Sequence, residues 1–173
     1  KGYKEAIQDK LVALGVQPDQ PETGYGYIQR GEKTAEDSYN INRFVEKPDY
    51  QSAKEFIASG EYFWNSGMFM FKASVFLEEI NQYCPDIYQT CKKSLNNQQD
   101  DSLFISVDKT IFNQCPSDSI DYAIMEKTTR ASVVTLHSPW SDIGSWASVW
   151  GVAEKDKDGN CLQGDVICQN GKN

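Results

Sequence analysis

Short apolar runs alternate with amphipathic segments along this chain, and that alternation constrains its fold more than any other feature. Leu11–Val16 and Ala131–His137 have the length and composition of buried strands. Ser52–Ser59 instead places apolar residues on one helical face, and the next residue, Gly60, is a common helix terminator. Strands that alternate with helices predict the α/β class, with a mixed, largely parallel sheet flanked by helices.

The same patterns predict the remaining elements. Strands are expected over Asn40–Glu46, Gly67–Lys72 and Val166–Cys168. Helices are expected over Pro85–Leu95, Ser119–Lys127 and Ser145–Ala153. The polar stretch Asn96–Ser102 is expected to be a mobile surface loop.

The acidic balance of the chain excludes two classes of partner. Its 173 residues include 17 Lys and Arg against 25 Asp and Glu, which gives a formal net charge of −8. Surfaces that bind nucleic acid or anionic membranes need basic stripes, so neither is expected as a partner. The oligomeric state stays open, with a homodimer as one option.

The cysteines predict a reducing compartment. The five cysteines have no C-x-x-C spacing and His137 is the sole histidine, so neither a disulfide framework nor a zinc site is expected. The N-terminal residues Lys1–Glu5 lack the apolar segment of a signal peptide. We therefore expect a cytoplasmic protein. The chain also opens without an initiator Met, so we expect it to be a piece of a longer protein.

Two polar interruptions of apolar sequence could approach a ligand. Glycines on both sides of Tyr25 allow close contact with a ligand, and the Gly26 amide can donate to a sugar hydroxyl. Asn65 lies in an Asn-Ser-Gly wedge within a strongly apolar run, and a buried amide needs a partner that a ligand could supply. Ordinary turns are the alternative interpretation of both segments.

The dipeptide Glu46-Lys47 ends a predicted strand and is followed by Pro48. Enzymes of the α/β class bind ligands at the carboxyl ends of their strands. A carboxylate can accept from two neighbouring sugar hydroxyls, and a lysine can neutralise a phosphate. A solvated ion pair is the alternative interpretation.

Asp142 follows the predicted strand Ala131–His137 and precedes a predicted helix. Its carboxylate oxygens suit a hard cation. Asp and Ser are also favoured as helix N-caps, which is the alternative interpretation. Both roles can coexist, with Ser145 as the cap and Asp142 as the ligand.

Taken together, these segments make the chain resemble the sugar-1-phosphate nucleotidyltransferases, and within them the mannose-1-phosphate guanylyltransferase branch. The resemblance runs from about Leu11 to Val166. The segments that carry it are Pro21–Ile28, Phe44–Asp49, Tyr62–Phe69, Cys115–Lys127 and Trp140–Trp146. It implies the Rossmann-like fold of the nucleotide-diphospho-sugar transferases.

The resemblance also implies roles for individual residues. Substrate-binding roles are implied for Tyr25, Gly26, Glu46, Lys47 and Asn65. Catalytic roles are implied for Lys47, on the phosphate of the sugar phosphate, and for Asp142, as a ligand of Mg²⁺. The Ser119–Lys127 helix receives no ligand role, and its Tyr122 and Met125 are expected to pack in the core.

The reaction implied is the transfer of GMP from GTP to mannose 1-phosphate, which gives GDP-mannose and pyrophosphate. Two parts of the family pattern are missing here: a glycine-rich loop that cradles the nucleotide phosphates, and an Asp at the end of a central strand. We therefore expect residues 1–173 to be the C-terminal, sugar-phosphate-binding portion of a single nucleotidyltransferase domain, incomplete at its N-terminus and inactive alone. A nucleotidyltransferase for another sugar 1-phosphate and a non-catalytic sugar-phosphate-binding module are the alternatives.

Overall fold

The computed structural model describes residues 1–95, 100–101 and 104–172 of the chain. The chain divides into two compact units, residues 1–137 and residues 138–173. Within the described residues, no helix is both long and apolar enough to cross a bilayer.

The first unit is built on a closed sheet of five strands. These strands are β1 (Leu11–Val16), β2 (Tyr27–Ala35), β3 (Ser38–Val45), β4 (Tyr62–Met70) and β7 (Ala131–Leu136). They follow the spatial order β1-β4-β2-β3-β7, with β7 again paired to β1. A separate antiparallel pair joins β5 (Asp100–Asp101) to β6 (Phe104–Ile105).

The sheet is mixed, but the prediction that it is largely parallel is wrong. Only the β1–β7 pair of the closed sheet is parallel, and the other pairs are antiparallel. The connection between β2 and β3 explains part of the difference, because only Glu36 and Asp37 separate the two strands. A two-residue turn can join antiparallel strands only, whereas parallel neighbours need a crossover of a dozen residues or more.

Helices surround the sheet. They are α1 (Gly2–Ala6), α2 (Tyr50–Ser59), α3 (Ala73–Tyr83), α4 (Pro85–Leu95), α5 (Lys109–Phe112) and a π-helix over Asp121–Met125. Helix α2 ends as predicted at Gly60, which takes the left-handed conformation with φ of 67°. Its first turn is capped by Asp49, whose carboxylate accepts from the Ser52 N–H at 2.8 Å.

The core lies between the sheet and the helices that cover it. It joins strand residues to α3 and the π-helix through Leu11, Ala13, Ile28, Phe44, Phe63, Val75, Ala123, Ile124, Met125, Ala131 and Val133. Met125 packs there as predicted, but Tyr122 is 42% exposed, so the expectation that it packs in the core is wrong. The π-helix buries its last three residues, Ala123, Ile124 and Met125, while the Tyr122 side chain lies toward solvent.

The second unit contains one described helix, α6 (Trp146–Val152), with Ser145 as its N-cap. The Ser145 hydroxyl accepts from the Ser148 N–H at 3.0 Å, as expected for a cap. No strand forms over Val166–Cys168, so that prediction is wrong; these side chains are exposed and lack a buried face to pair against. Of the predicted loop Asn96–Ser102, residues 96–99 and 102 lie outside the described residues.

Candidate functional site

Strand register brings three of the predicted site residues together. Tyr27 pairs with Val45 on one side and with Trp64 on the other, so the residues next to these three are neighbours as well. The Asn65 N–H donates to the Gly26 carbonyl at 2.7 Å. A Cβ on Gly26 would lie 2.5 Å from Glu46 Oε2 and 3.2 Å from the Cβ of Asn65. Glu46 and Asn65 therefore both lie against the backbone of Gly26.

Glu46 and Lys47 lie just beyond the end of β3, which ends at Val45, one residue earlier than the predicted strand. Lys47 Nζ is 3.3 Å from Glu46 Oε1, and the lysine side chain is 60% exposed while the glutamate side chain is 9% exposed. Lys47 takes a left-handed backbone conformation with φ of 49°, directly before Pro48. Such strain in a non-glycine residue is common at functional sites. The ammonium is thus positioned to meet a ligand from solvent while still paired to a buried carboxylate.

The Glu46 carboxylate has a buried oxygen that no group satisfies. Oε2 is shielded from solvent and has no hydrogen-bond partner among the described residues. Burial raises the pKa of Glu46, and the negative charges of Asp121 and Glu126 raise it further, while Lys47 lowers it. A buried acceptor without a donor is costly, and a hydroxyl of a ligand would relieve that cost.

Asn65 lies inside strand β4, so the alternative interpretation, an ordinary turn before a strand, is wrong. Between Ala13–Phe69 and Gly15–Asn65, the register shifts, because β4 carries extra residues in a β-bulge. Gly67 takes φ of 72° in this bulge, and its N–H donates to Asn65 Oδ1 at 3.1 Å. The Ser66 hydroxyl donates to the Leu14 carbonyl at 2.7 Å. The bulge therefore aims the Asn65 amide rather than ending the strand.

Two acidic residues that the sequence analysis did not select complete the cluster. Asn65 Nδ2 donates to Asp121 Oδ1 at 3.0 Å, and the Glu46 backbone N–H donates to Glu126 Oε1 at 3.1 Å. Asp121 opens the π-helix and Glu126 directly follows it, and both lie in the predicted helix Ser119–Lys127, which received no ligand role. The available signal was the acidic pair on either side of the buried run Ala123–Met125.

Aromatic rings form one wall next to the cluster. Tyr25 meets Trp64 edge to face, with ring centroids 5.2 Å apart. Trp64 is buried, and Tyr25 is half-buried. Tyr25 thus packs against strand β4 at Trp64, the residue that precedes Asn65.

Asp142 belongs to the second unit, which is described by itself. Its Oδ1 accepts from the Gly144 N–H at 3.2 Å, and a Cβ on Gly144 would lie 2.5 Å from Oδ2. Ile143 between them takes φ of 50°, a rare conformation for a β-branched residue. Among the described residues, no three His, Cys, Asp or Glu side chains form a group that could hold a metal ion. Asp142 can therefore supply one carboxylate ligand to a metal ion, but the described residues do not form a complete coordination sphere.

We expect Gly26→Ala to fold and to weaken ligand binding at this cluster by about tenfold. The new methyl group would overlap Glu46 Oε2, and the flexible glutamate side chain must move away to make room. Isothermal titration with mannose 1-phosphate, the sugar phosphate that the sequence resemblance implies, measures the loss, and thermal unfolding checks the fold. Gly24→Ala is the matched control, because nothing lies within 4 Å of a Cβ at Gly24. Equal affinities of the two variants would contradict the placement of Glu46.

Comparison with known proteins identifies a matching family. The Nucleotidyl transferase family profile matches residues 1–159. A mannose-1-phosphate guanylyltransferase from Salmonella muenchen is 49% identical over 167 residues, which cover 96% of this chain and 35% of that protein. The chain thus spans about a third of the length of such curated relatives.

Solved structures with the same fold come from two bacteria. A Thermus thermophilus structure described as mannose-1-phosphate geranyltransferase superposes with a TM-score of 0.76 at 33% identity, covering 91% of this chain and 44% of that one. A Helicobacter pylori structure described as mannose-6-phosphate isomerase gives a TM-score of 0.73 at 32% identity, covering 82% and 55%. The mixed α/β arrangement of the first unit is therefore shared with known structures.

Proposed function

Because the chain belongs to the nucleotidyl transferase family, we propose that the complete protein containing it transfers GMP from GTP to mannose 1-phosphate. In this reaction a phosphate oxygen of mannose 1-phosphate forms a bond to the α-phosphorus of GTP. The bond from that phosphorus to the bridging oxygen breaks, and pyrophosphate leaves. The products are GDP-mannose and pyrophosphate.

One observation carries the proposal: the buried, unpartnered oxygen of Glu46 beside Gly26 and Asn65. A carboxylate oxygen that lacks a donor, next to an amide and an open glycine backbone, suits the hydroxyls of a sugar. The adjacent exposed ammonium of Lys47 suits the phosphate on that sugar. The identity of 49% to a mannose-1-phosphate guanylyltransferase supports mannose as the sugar.

The chemistry needs positioning and charge neutralisation more than a protein nucleophile. Two anions must approach each other, so their repulsion is a main obstacle. Lys47 would neutralise the attacking phosphate, while Glu46 and Asn65 would fix the sugar ring and Tyr25 would close one side. The Gly26 backbone leaves room for the sugar, since any side chain there would occupy the space beside Glu46.

Asp142 is proposed to hold Mg²⁺ through its carboxylate. Magnesium commonly binds one or two protein carboxylates together with substrate phosphates, and Asp142 would supply one such carboxylate. The ion would neutralise phosphate charge when bound. The curled loop at Gly144 keeps the Asp142 carboxylate close to the backbone, which limits the directions in which it can bind.

Two further properties complete the proposal. We place the protein in the cytoplasm, supported by cysteines that are free at Cys84, Cys91, Cys115, Cys161 and Cys168. A homodimer stays a prediction.

Pyrophosphate release by the complete protein tests the proposed function. The assay combines GTP, Mg²⁺ and a panel of sugar 1-phosphates, with ATP and UTP as alternative nucleotides. We expect mannose 1-phosphate with GTP to give the highest kcat/KM. A higher value with another sugar 1-phosphate would favour the alternative transferase. Release with none of them, despite binding of mannose 1-phosphate, would favour a binding module.

A further inference from the structure

The π-helix Asp121–Met125 gives two acidic side chains a shared direction. The Glu126 N–H donates to the Asp121 carbonyl at 3.0 Å, which is the i to i+5 bond of a π-helix. In an α-helix, residues five apart point about 140° away from each other. The wider π turn instead lets both Asp121 and Glu126 reach the cluster around Glu46. Single π turns are rare and occur frequently at functional sites.

The Asn65 amide is held at both ends. Its Oδ1 accepts from the Gly67 N–H at 3.1 Å, and its Nδ2 donates to Asp121 Oδ1 at 3.0 Å. Rotation of the amide by half a turn would place two donors against each other at Gly67 and two acceptors against each other at Asp121. Each end of the amide can form one more hydrogen bond, because an amide has two N–H donors and an oxygen with two lone pairs. The positions of the hydrogen-bond donor and acceptor that Asn65 offers to a ligand are therefore fixed before the ligand binds.

We propose that Asp121 is a positioning residue for sugar-phosphate binding, which acts by fixing the direction of the Asn65 amide beside Glu46. The inference rests on the proposed function, since it assigns Asn65 to the sugar. Asp121 also places a negative charge near the Glu46 carboxylate. It therefore fixes the donor pattern of the pocket and, in addition to burial, helps to raise the pKa of Glu46.

Calorimetric titration of the complete protein with mannose 1-phosphate tests the positioning role. Asp121→Ala removes the acceptor, so the Asn65 amide gains freedom, and we expect Kd to rise about tenfold. Asp121→Asn keeps an amide oxygen that can accept from Asn65 Nδ2, and we expect Kd to stay within about threefold of the native value. The KM for GTP should not change in either variant. Asp118→Asn, an exposed acid just before the π-helix, is the matched control.

The pH dependence of binding supplies a readout that a purely structural role would not move. Among the residues that the structure describes, Lys47, Asp121 and Glu126 are the charged groups that act on Glu46, and Asp121 raises the pKa of that carboxyl. Loss of the Asp121 charge lowers the pKa of Glu46, so its carboxylate persists to lower pH. The acidic limit of binding is the pH below which the affinity for mannose 1-phosphate falls. We expect this limit to move to lower pH in Asp121→Asn and to stay in place in Asp118→Asn. The titration of the sugar phosphate itself is common to all variants.

The outcomes separate this inference from the function on which it rests. Weak binding by Asp121→Ala, recovery in Asp121→Asn and a lowered acidic limit support it. Native affinity in a folded Asp121→Ala, no recovery in Asp121→Asn, or an unmoved acidic limit overturns it while the proposed function stands. Failure of the native protein to bind mannose 1-phosphate overturns both.

Discussion

Replacing Asp142 with Asn is expected to lower kcat of the complete protein by about a hundredfold with little change in stability. The amide oxygen of Asn can still accept from the Gly144 N–H, which Asp142 Oδ1 accepts at 3.2 Å. Asp142 is exposed, and substitutions at exposed positions usually change stability little. A neutral oxygen is a weaker ligand for Mg²⁺ than a carboxylate, and the loss should shrink at high Mg²⁺ concentration.

Steady-state kinetics against Mg²⁺ concentration, with thermal unfolding in parallel, measure both parts of this expectation. Asp165→Asn is the matched control, since it is an exposed acid of the same unit. A native kcat in Asp142→Asn would show that Asp142 only holds the loop at Gly144 and is not a ligand of Mg²⁺. An equal loss at every Mg²⁺ concentration would also argue against a ligand role.

Lys47→Ala is expected to raise the KM for mannose 1-phosphate about thirtyfold and to leave the KM for GTP near its native value. The ammonium is exposed and lies 3.3 Å from Glu46 Oε1, so it can meet the phosphate while the carboxylate meets the sugar. Lys47 also lowers the pKa of Glu46. Its removal should therefore move the acidic limit of mannose 1-phosphate binding to higher pH, opposite to the shift in Asp121→Asn.

Kinetics with each substrate varied in turn, repeated across pH, test this prediction. Lys33→Ala is the matched control, because Lys33 is an exposed residue of β2 outside the cluster. A rise in the KM for GTP instead of mannose 1-phosphate would place Lys47 at the nucleotide. Shifts of the acidic limit in the same direction for Lys47→Ala and Asp121→Asn would contradict the electrostatic account of Glu46.

Much of the candidate site could be predicted from the sequence because its residues interrupt apolar runs. A glycine at position 26, a charged pair after a strand at Glu46-Lys47, and an amide at Asn65 are each unusual in such surroundings. Their convergence could not be read from spacing, since it depends on the register of β2 against β3 and β4. Asp121 was missed because helical periodicity assumes 3.6 residues per turn, and the π-helix does not follow it.

The direction of the strands was the larger error in the predicted fold. Alternation of strands and helices favoured a parallel sheet, but β2 is exposed over most of its length after Ile28. Its polar half pairs with β3 in a hairpin held by backbone hydrogen bonds, so an apolar pattern could not reveal it. The short turn at Glu36 and Asp37 was the available signal, because two residues can join antiparallel strands only.

Titration of this chain with mannose 1-phosphate, compared with glucose 1-phosphate, tests the central claim most directly. The account predicts saturable binding of one mannose 1-phosphate per chain, tighter than glucose 1-phosphate, and weakened by Gly26→Ala but not by Gly24→Ala. Equal binding of both sugars would contradict the assignment of mannose as the sugar, and affinities that Gly26→Ala leaves unchanged would contradict the assignment of the Gly26, Glu46 and Asn65 cluster to the sugar.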